Sequence, residues 1–157
     1  MTRHFRACSL RFMRTWTAQA ISEARPDEIL AALTDPNAVA SWSPVAFDLD
    51  DDLRRLKAGS RTRVSGKLAG VRVAFDVEVH RADHHQLVLS ACGPVSMDVE
   101  YDVAPADAGG SEVRASVSVR PGRGLLSTVM AEATAGLLRA GALSAAVDRL
   151  ARCAVAA

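Results

Sequence analysis

Long apolar runs are missing from this 157-residue sequence: no stretch approaches the ~18–20 uncharged residues a membrane-spanning helix needs. Cysteine is sparse as well. Cys8, Cys92 and Cys153 are odd in number, far apart and without a CxxC pair. That argues against a disulfide framework and for a reducing, cytoplasmic setting. An excess of one charge is also lacking: 19 basic and 18 acidic residues leave +1, which argues against a nucleic-acid module built on a broad basic face. Aromatic residues are only 4 % of the chain. What is present is 49 % hydrophobic and 24 % charged residues, an ordinary globular balance. The length suits one domain of about 100–200 residues, able to bury roughly 68–70 % of its unfolded surface.

Arg3, Arg6, Arg11 and Arg14 precede the first acidic residue, Glu23. Setting them aside leaves 15 basic against 18 acidic residues, so the body is slightly acidic. Arg6, Arg11 and Arg14 interrupt every candidate for the apolar core of a secretory signal. Residues 1–13 read as a loose leader ahead of a single domain over 14–157; an organelle transit peptide is the alternative for an Arg-rich, acid-free start.

Strand-favouring Thr15, Trp16, Thr17 and Ile21 predict a strand over about 14–23. Pro26 with Asp27 and Glu28 behind it opens a short helix whose apolar side is Ile29, Leu30 and Leu33. A second short helix follows, opened by Asp35-Pro36, closed before Pro44 and carrying Val39 and Trp42. From Val45 to Arg120 the hydrophobic period is two. Val71, Val73, Phe75, Val77 and Val79 form one alternating run, Val95, Met97, Val99, Tyr101 and Val103 a second, and Val113, Ala115, Val117 and Val119 a third. Such alternation means antiparallel strands with one buried and one wet face. Weaker strands are predicted near 46–53, 60–69 and 87–92. Turn residues, among them Gly59, Gly70, Gly93-Pro94 and Gly109-Gly110, make the connections short, so the strands form a meander. Beyond Gly124 the period is 3.6, with Leu126, Val129, Met130, Ala133, Leu137, Ala140, Ser144, Val147 and Ala151 on one stripe. A single helix over 125–153 would be roughly 43 Å long, and its partner is the apolar face of the sheet.

This order of elements resembles the polyketide cyclase/dehydrase and lipid-transport proteins of the Bet v 1-like, START-related superfamily. The resemblance rests on Ala24-Arg25-Pro26-Asp27-Glu28-Ile29, Leu33-Thr34-Asp35-Pro36 and Trp42-Ser43-Pro44. Gly59, Gly93-Pro94, Tyr101-Asp102-Val103 and Gly124-Leu125-Leu126 support it. It spans about residues 15–154 and implies an α+β helix-grip fold: a curved antiparallel sheet wrapped around a long C-terminal helix, with two short helices after the first strand. It further implies an apolar cavity between sheet and helix. The strand residues expected to line it are Phe47, Val64, Val73, Phe75 and Val77, then Leu89, Met97, Val99, Tyr101 and Val117. Trp42 joins them from the lid, and Met130, Ala133 and Leu137 from the helix. The same residues could fill a packed core instead. Small residues on the helix (Ala131, Ala133, Ala135, Gly136, Ala140, Gly141) and the scarcity of aromatics favour a space.

Catalysis would need an acid or base within reach of the substrate, and the three well-phased strands turn only Tyr101 inward. Asp76, Glu78, Asp98, Glu100 and Asp102 fall on the wet phase; the phase of Thr17, Gln19 and Thr62 is open. Tyr101 is therefore the one catalytic candidate, as a hydroxyl donor. His80, His84 and His85 lack further ligands at metal spacing. The run from Asp48 to Asp52 fails the calcium-loop pattern, with Leu53 at the sixth position and Gly59 at the twelfth. Gly122-Arg123-Gly124 has no Lys-Ser/Thr pair and is no P-loop. The sequence thus predicts no metal and no cofactor. Three functions remain, in this order: binding of an apolar or aromatic, lipid- or polyketide-like small molecule; a polyketide aromatase/cyclase acting mainly by shape; and a non-enzymatic interaction domain with a filled core.

Overall fold

Strict alternation of Val with polar residues fixes which side of each strand is dry, and pairing those dry sides builds the sheet. The computed structural model describes residues 14–38, 47–49, 55–68, 70–121 and 124–156. Its strands are β1 (Arg14–Ser22), β2 (Phe47–Leu49), β3 (Arg61–Leu68), β4 (Val71–Ala82), β5 (Gln86–Cys92), β6 (Val95–Pro105) and β7 (Ser111–Pro121). They form one seven-stranded sheet in the order β1-β7-β6-β5-β4-β3-β2, every pair antiparallel. The meander is as expected; β1 closes it by pairing with β7, Trp16 opposite Val117. The strand expected over 46–53 is three residues long among the described residues. The leader over 1–13 lies outside the described residues.

The wet face carries the charges. Arg61 meets Glu78 at 3.2 Å and Arg120 meets Asp98 at 2.9 Å. The Gln86 side-chain amide donates to both Glu100 (2.8 Å) and Asp102 (2.7 Å). Opposed partners on one sheet face are worth a few tenths to 1 kcal/mol each, so these pairs set the register more than the stability.

Helix α1 (Pro26–Thr34) starts as its sequence dictates, with proline in the first turn and Arg25 Nε bonded to Glu28 Oε1 at 2.9 Å. Ile29, Leu30 and Leu33 are buried. A further helical turn begins at Pro36 and is described to Ala38; Val39 and Trp42 lie outside the described residues.

The C-terminal helical stretch departs from the continuous helix expected over 125–153. It is two helices, α2 (Leu125–Arg139) and α3 (Ala142–Ala156), divided where Gly141 adopts φ +95°. There the Gly141 N–H turns back to Leu138 O instead of Leu137 O, and a glycine is what tolerates that backbone. The break has a packing cause. Thr134 is buried in α2 and Val147 in α3, yet an unbroken helix would hold these positions about 140° apart around its axis. The turn at Gly141 lets both face the interior. The expected stripe is corrected accordingly: Val129, Leu137, Ala140 and Ser144 are exposed, while Ser127, Met130, Thr134 and Ala135 are buried in α2 and Leu143, Ala146, Val147, Leu150 and Ala151 in α3.

Two buried serines tie the end of β1 to the rest. Ser22 Oγ donates to Ala151 O at 2.7 Å, and Ser111 Oγ donates to Ala24 O at 2.7 Å. Burial without such partners would cost about 1–3 kcal/mol each.

Candidate functional site

Helix α2 rests mainly on β7, with lighter contact to β6 and, across the sheet, to β3. Strands β7 and β3 stand four places apart and can meet one helix only if the sheet curls around it. The floor of that curl, β4 and β5, is less closely met by α2. Inward side chains there are accordingly unevenly covered. Under α1 and α3, Val79, Leu87, Tyr101, Val103 and Val113 are sealed. Toward α2, the inward Val64, Val77, Leu89, Met97 and Val99 are only half-buried. These five belong to adjacent strands, with Leu89 opposite Val99 and Ala91 opposite Met97. An apolar surface on a concave wall that the fold leaves half covered is the arrangement small-molecule sites use.

Most of the expected lining is brought together on this wall. Val73, Phe75 and Val117 are buried at its margins, and Met130 is buried facing it from α2. Ala133 is half-buried. Leu137 is 41 % exposed, on the side of α2 that the Gly141 break turns away from the sheet. Trp42 lies outside the described residues, and Phe47 is described only as a β2 position opposite Gly66.

Tyr101 is 6 % exposed, opposite Leu87 and Ala115 in the sealed half. Burial pushes its phenol up to about 12, since desolvation disfavours the phenolate. Near neutral pH the group can donate a hydrogen bond and cannot act as a base. The sign for stability follows. Below pH 10 the phenol is neutral whether the chain is folded or not; between about pH 10 and 12 only the unfolded chain ionises. Stability therefore falls across that window, by on the order of 2 kcal/mol. Tyr101 is the only tyrosine, so near-ultraviolet phenolate absorbance reports it alone. Ionisation at the ordinary pKa in the folded protein would place the phenol in water and contradict its burial.

Two residues of unsettled phase point outward: Thr17 and Gln19 are exposed on β1, where Trp16, Ala18 and Ala20 turn in. Thr62 points inward, directly opposite Val77. Its phase was readable from its neighbours, because Arg61, Arg63 and Lys67 claim the wet side of β3. The remaining motifs contribute no site. His80 Nε2 pairs with Ser90 Oγ at 2.7 Å on the outer face, and His84 and His85 are exposed with ring centres 4.1 Å apart. Among the described residues no three His, Cys, Asp or Glu side chains gather at metal-binding distance. Asp50 to Asp52 and Gly122-Arg123 lie outside those residues. No helix among them is long and apolar enough to cross a membrane.

Residues 13–153 match the family described as polyketide cyclase / dehydrase and lipid transport. Among solved structures, the Zhui aromatase/cyclase from Streptomyces sp. R1128 is similar over 90 % of this chain and 93 % of its own, with 15 % identity and a TM-score of 0.68. A protein from Rhodobacter sphaeroides is 20 % identical over 90 % of this chain and 93 % of its own, with a TM-score of 0.64. Ara h 8.0201 is 12 % identical over 92 % of this chain and 99 % of its own, at 0.63. At these identities the likeness speaks for the fold. No curated protein matches the sequence.

Proposed function

The chain belongs to the polyketide cyclase / dehydrase and lipid transport family, and from that premise we propose that it binds an apolar, lipid- or polyketide-like small molecule between the sheet and the C-terminal helices. One observation carries the reading: five inward apolar side chains, Val64, Val77, Leu89, Met97 and Val99, are left half-buried on a concave wall. Burying a fully exposed apolar side chain is worth about 1.5–3 kcal/mol; these five are already partly covered, so a guest on this wall gains the remaining fraction of that from each. The expected lining residues other than Leu137, Trp42 and Phe47 included, are the proposed contacts. Cytoplasmic residence goes with the reading, since Cys92 is free and remains a thiol where glutathione is plentiful.

Ring closure of a polyketide is the second reading, favoured by Tyr101 as an inward hydroxyl donor. The described inward positions of the strands hold no carboxylate, amine or imidazole beside it, which leaves such a reaction to shape and a single hydrogen bond. That is why binding ranks first.

Native mass spectrometry of the purified protein, with thermal melts in 2-ethylnaphthalene and 2-acetylnaphthalene, tests the proposal. A probe at a hundredfold excess over its Kd adds about 2.7 kcal/mol, and for a domain of this size that raises Tm by roughly 5–10 °C. A bare mass together with melts indifferent to both probes would mean a filled core and end the binding reading.

A further inference from the structure

Buried hydroxyls in this protein find partners. Ser22 donates to Ala151 O, Ser111 to Ala24 O, Thr34 to Leu30 O and Thr134 to Met130 O, all at 2.7–2.8 Å, and Ser127 donates to Pro94 O. Thr62 Oγ1 is the exception: among the described residues it is the buried side-chain polar atom with no hydrogen-bond partner. Its place is specific. Thr62 turns inward on β3 opposite Val77, which in turn stands opposite Ala91, and Ala91 opposite Met97. The orphan hydroxyl thus sits in the row that holds two of the half-buried apolar residues, on the proposed binding wall. A hydroxyl sealed from water without a partner costs free energy that any arriving hydrogen-bonding group recovers.

Resting on the binding reading above, we infer that Thr62 is a specificity-determining residue that selects an oxygenated ligand, one whose carbonyl or hydroxyl oxygen pairs with Thr62 Oγ1 while its apolar body covers Val77 and Met97. A hydroxyl both donates and accepts, so either oxygen type serves; a pure hydrocarbon leaves the group orphaned. The ordinary structural role for a threonine here, a β-branched residue suited to a strand, predicts no such preference.

The test is a double difference between two probes of nearly equal shape, 2-acetylnaphthalene and 2-ethylnaphthalene, measured by calorimetric titration on the wild type, Thr62→Val and Thr62→Ser. The net worth of one neutral hydrogen bond corresponds to about three- to tenfold in Kd. Thr62→Val is expected to weaken the acetyl probe by that factor and leave the ethyl probe unchanged, while the unliganded protein melts higher because the orphan group is gone. Thr62→Ser, which keeps the hydroxyl, is expected to restore the ratio of the two affinities. A ratio unmoved by Thr62→Val, or both probes weakened alike, overturns the inference and leaves the binding reading standing. Wild-type protein that takes up neither probe overturns both.

Discussion

Alanine in place of Gly110 is expected to destabilise the protein by about 2–5 kcal/mol, a large part of the 5–15 kcal/mol typical of a domain. Two costs combine. Gly110 sits at φ +77°, where a side chain adds roughly 1–2 kcal/mol of backbone strain. A Cβ there would also overlap Ser22 O and approach Glu23 Cα to 3.0 Å. Those neighbours are backbone, which cannot swing aside, and overpacking of this kind costs about 1–3 kcal/mol. The contact matters because it presses the β6–β7 hairpin onto the end of β1, where Ser22 and Ser111 bond to α3 and to Ala24. Gly109 is the built-in control: it has φ +89° but open space around its would-be Cβ, so Gly109→Ala should show the strain alone. Chemical denaturation of the two variants decides it. Equal losses would remove the close approach from the account.

Leu150→Ala is expected to cost about 2–5 kcal/mol and Leu137→Ala less than about 1 kcal/mol. Leu150 is fully buried in the cluster that includes Ile29, Leu33 and Val147, where α3 packs on β1 and α1. Its truncation leaves a void that the surrounding β1 and α1 side chains fill only in part. Leu137, 41 % exposed on α2, gives up little. The continuous stripe read from the sequence puts Leu137 inside and assigns no place to Leu150. Comparable losses for the two variants would mean that the helix is not broken at Gly141 as described.

Strand phase was legible in residues 71–79, 95–103 and 113–119 because a period of two is a local property: each side chain's face follows from its immediate neighbours. The same logic puts Asp98, Glu100 and Asp102 in water and leaves Tyr101 as the inward candidate, and on β3 the wet phase shared by Arg61, Arg63 and Lys67 turns Thr62 inward. The turn glycines and Pro26 were legible for a similar reason, since φ preferences belong to single residues.

Residue types and their period along the chain are enough to specify the α+β meander, its dry face and the apolar character of whatever that face meets. The tertiary structure alone decided where the C-terminal helix divides, because that depends on which two faces must be buried at once against β7 on one side and β1 with α1 on the other. It decided that Gly110 abuts Ser22, a contact between chain segments far apart in sequence that no local pattern records. It also decided that, among the described residues, Thr62 Oγ1 has no partner while five other buried hydroxyls do. Hydrogen-bond satisfaction is a property of the packed neighbourhood, assembled from distant strands, and it exists only once the sheet has curled around the helix.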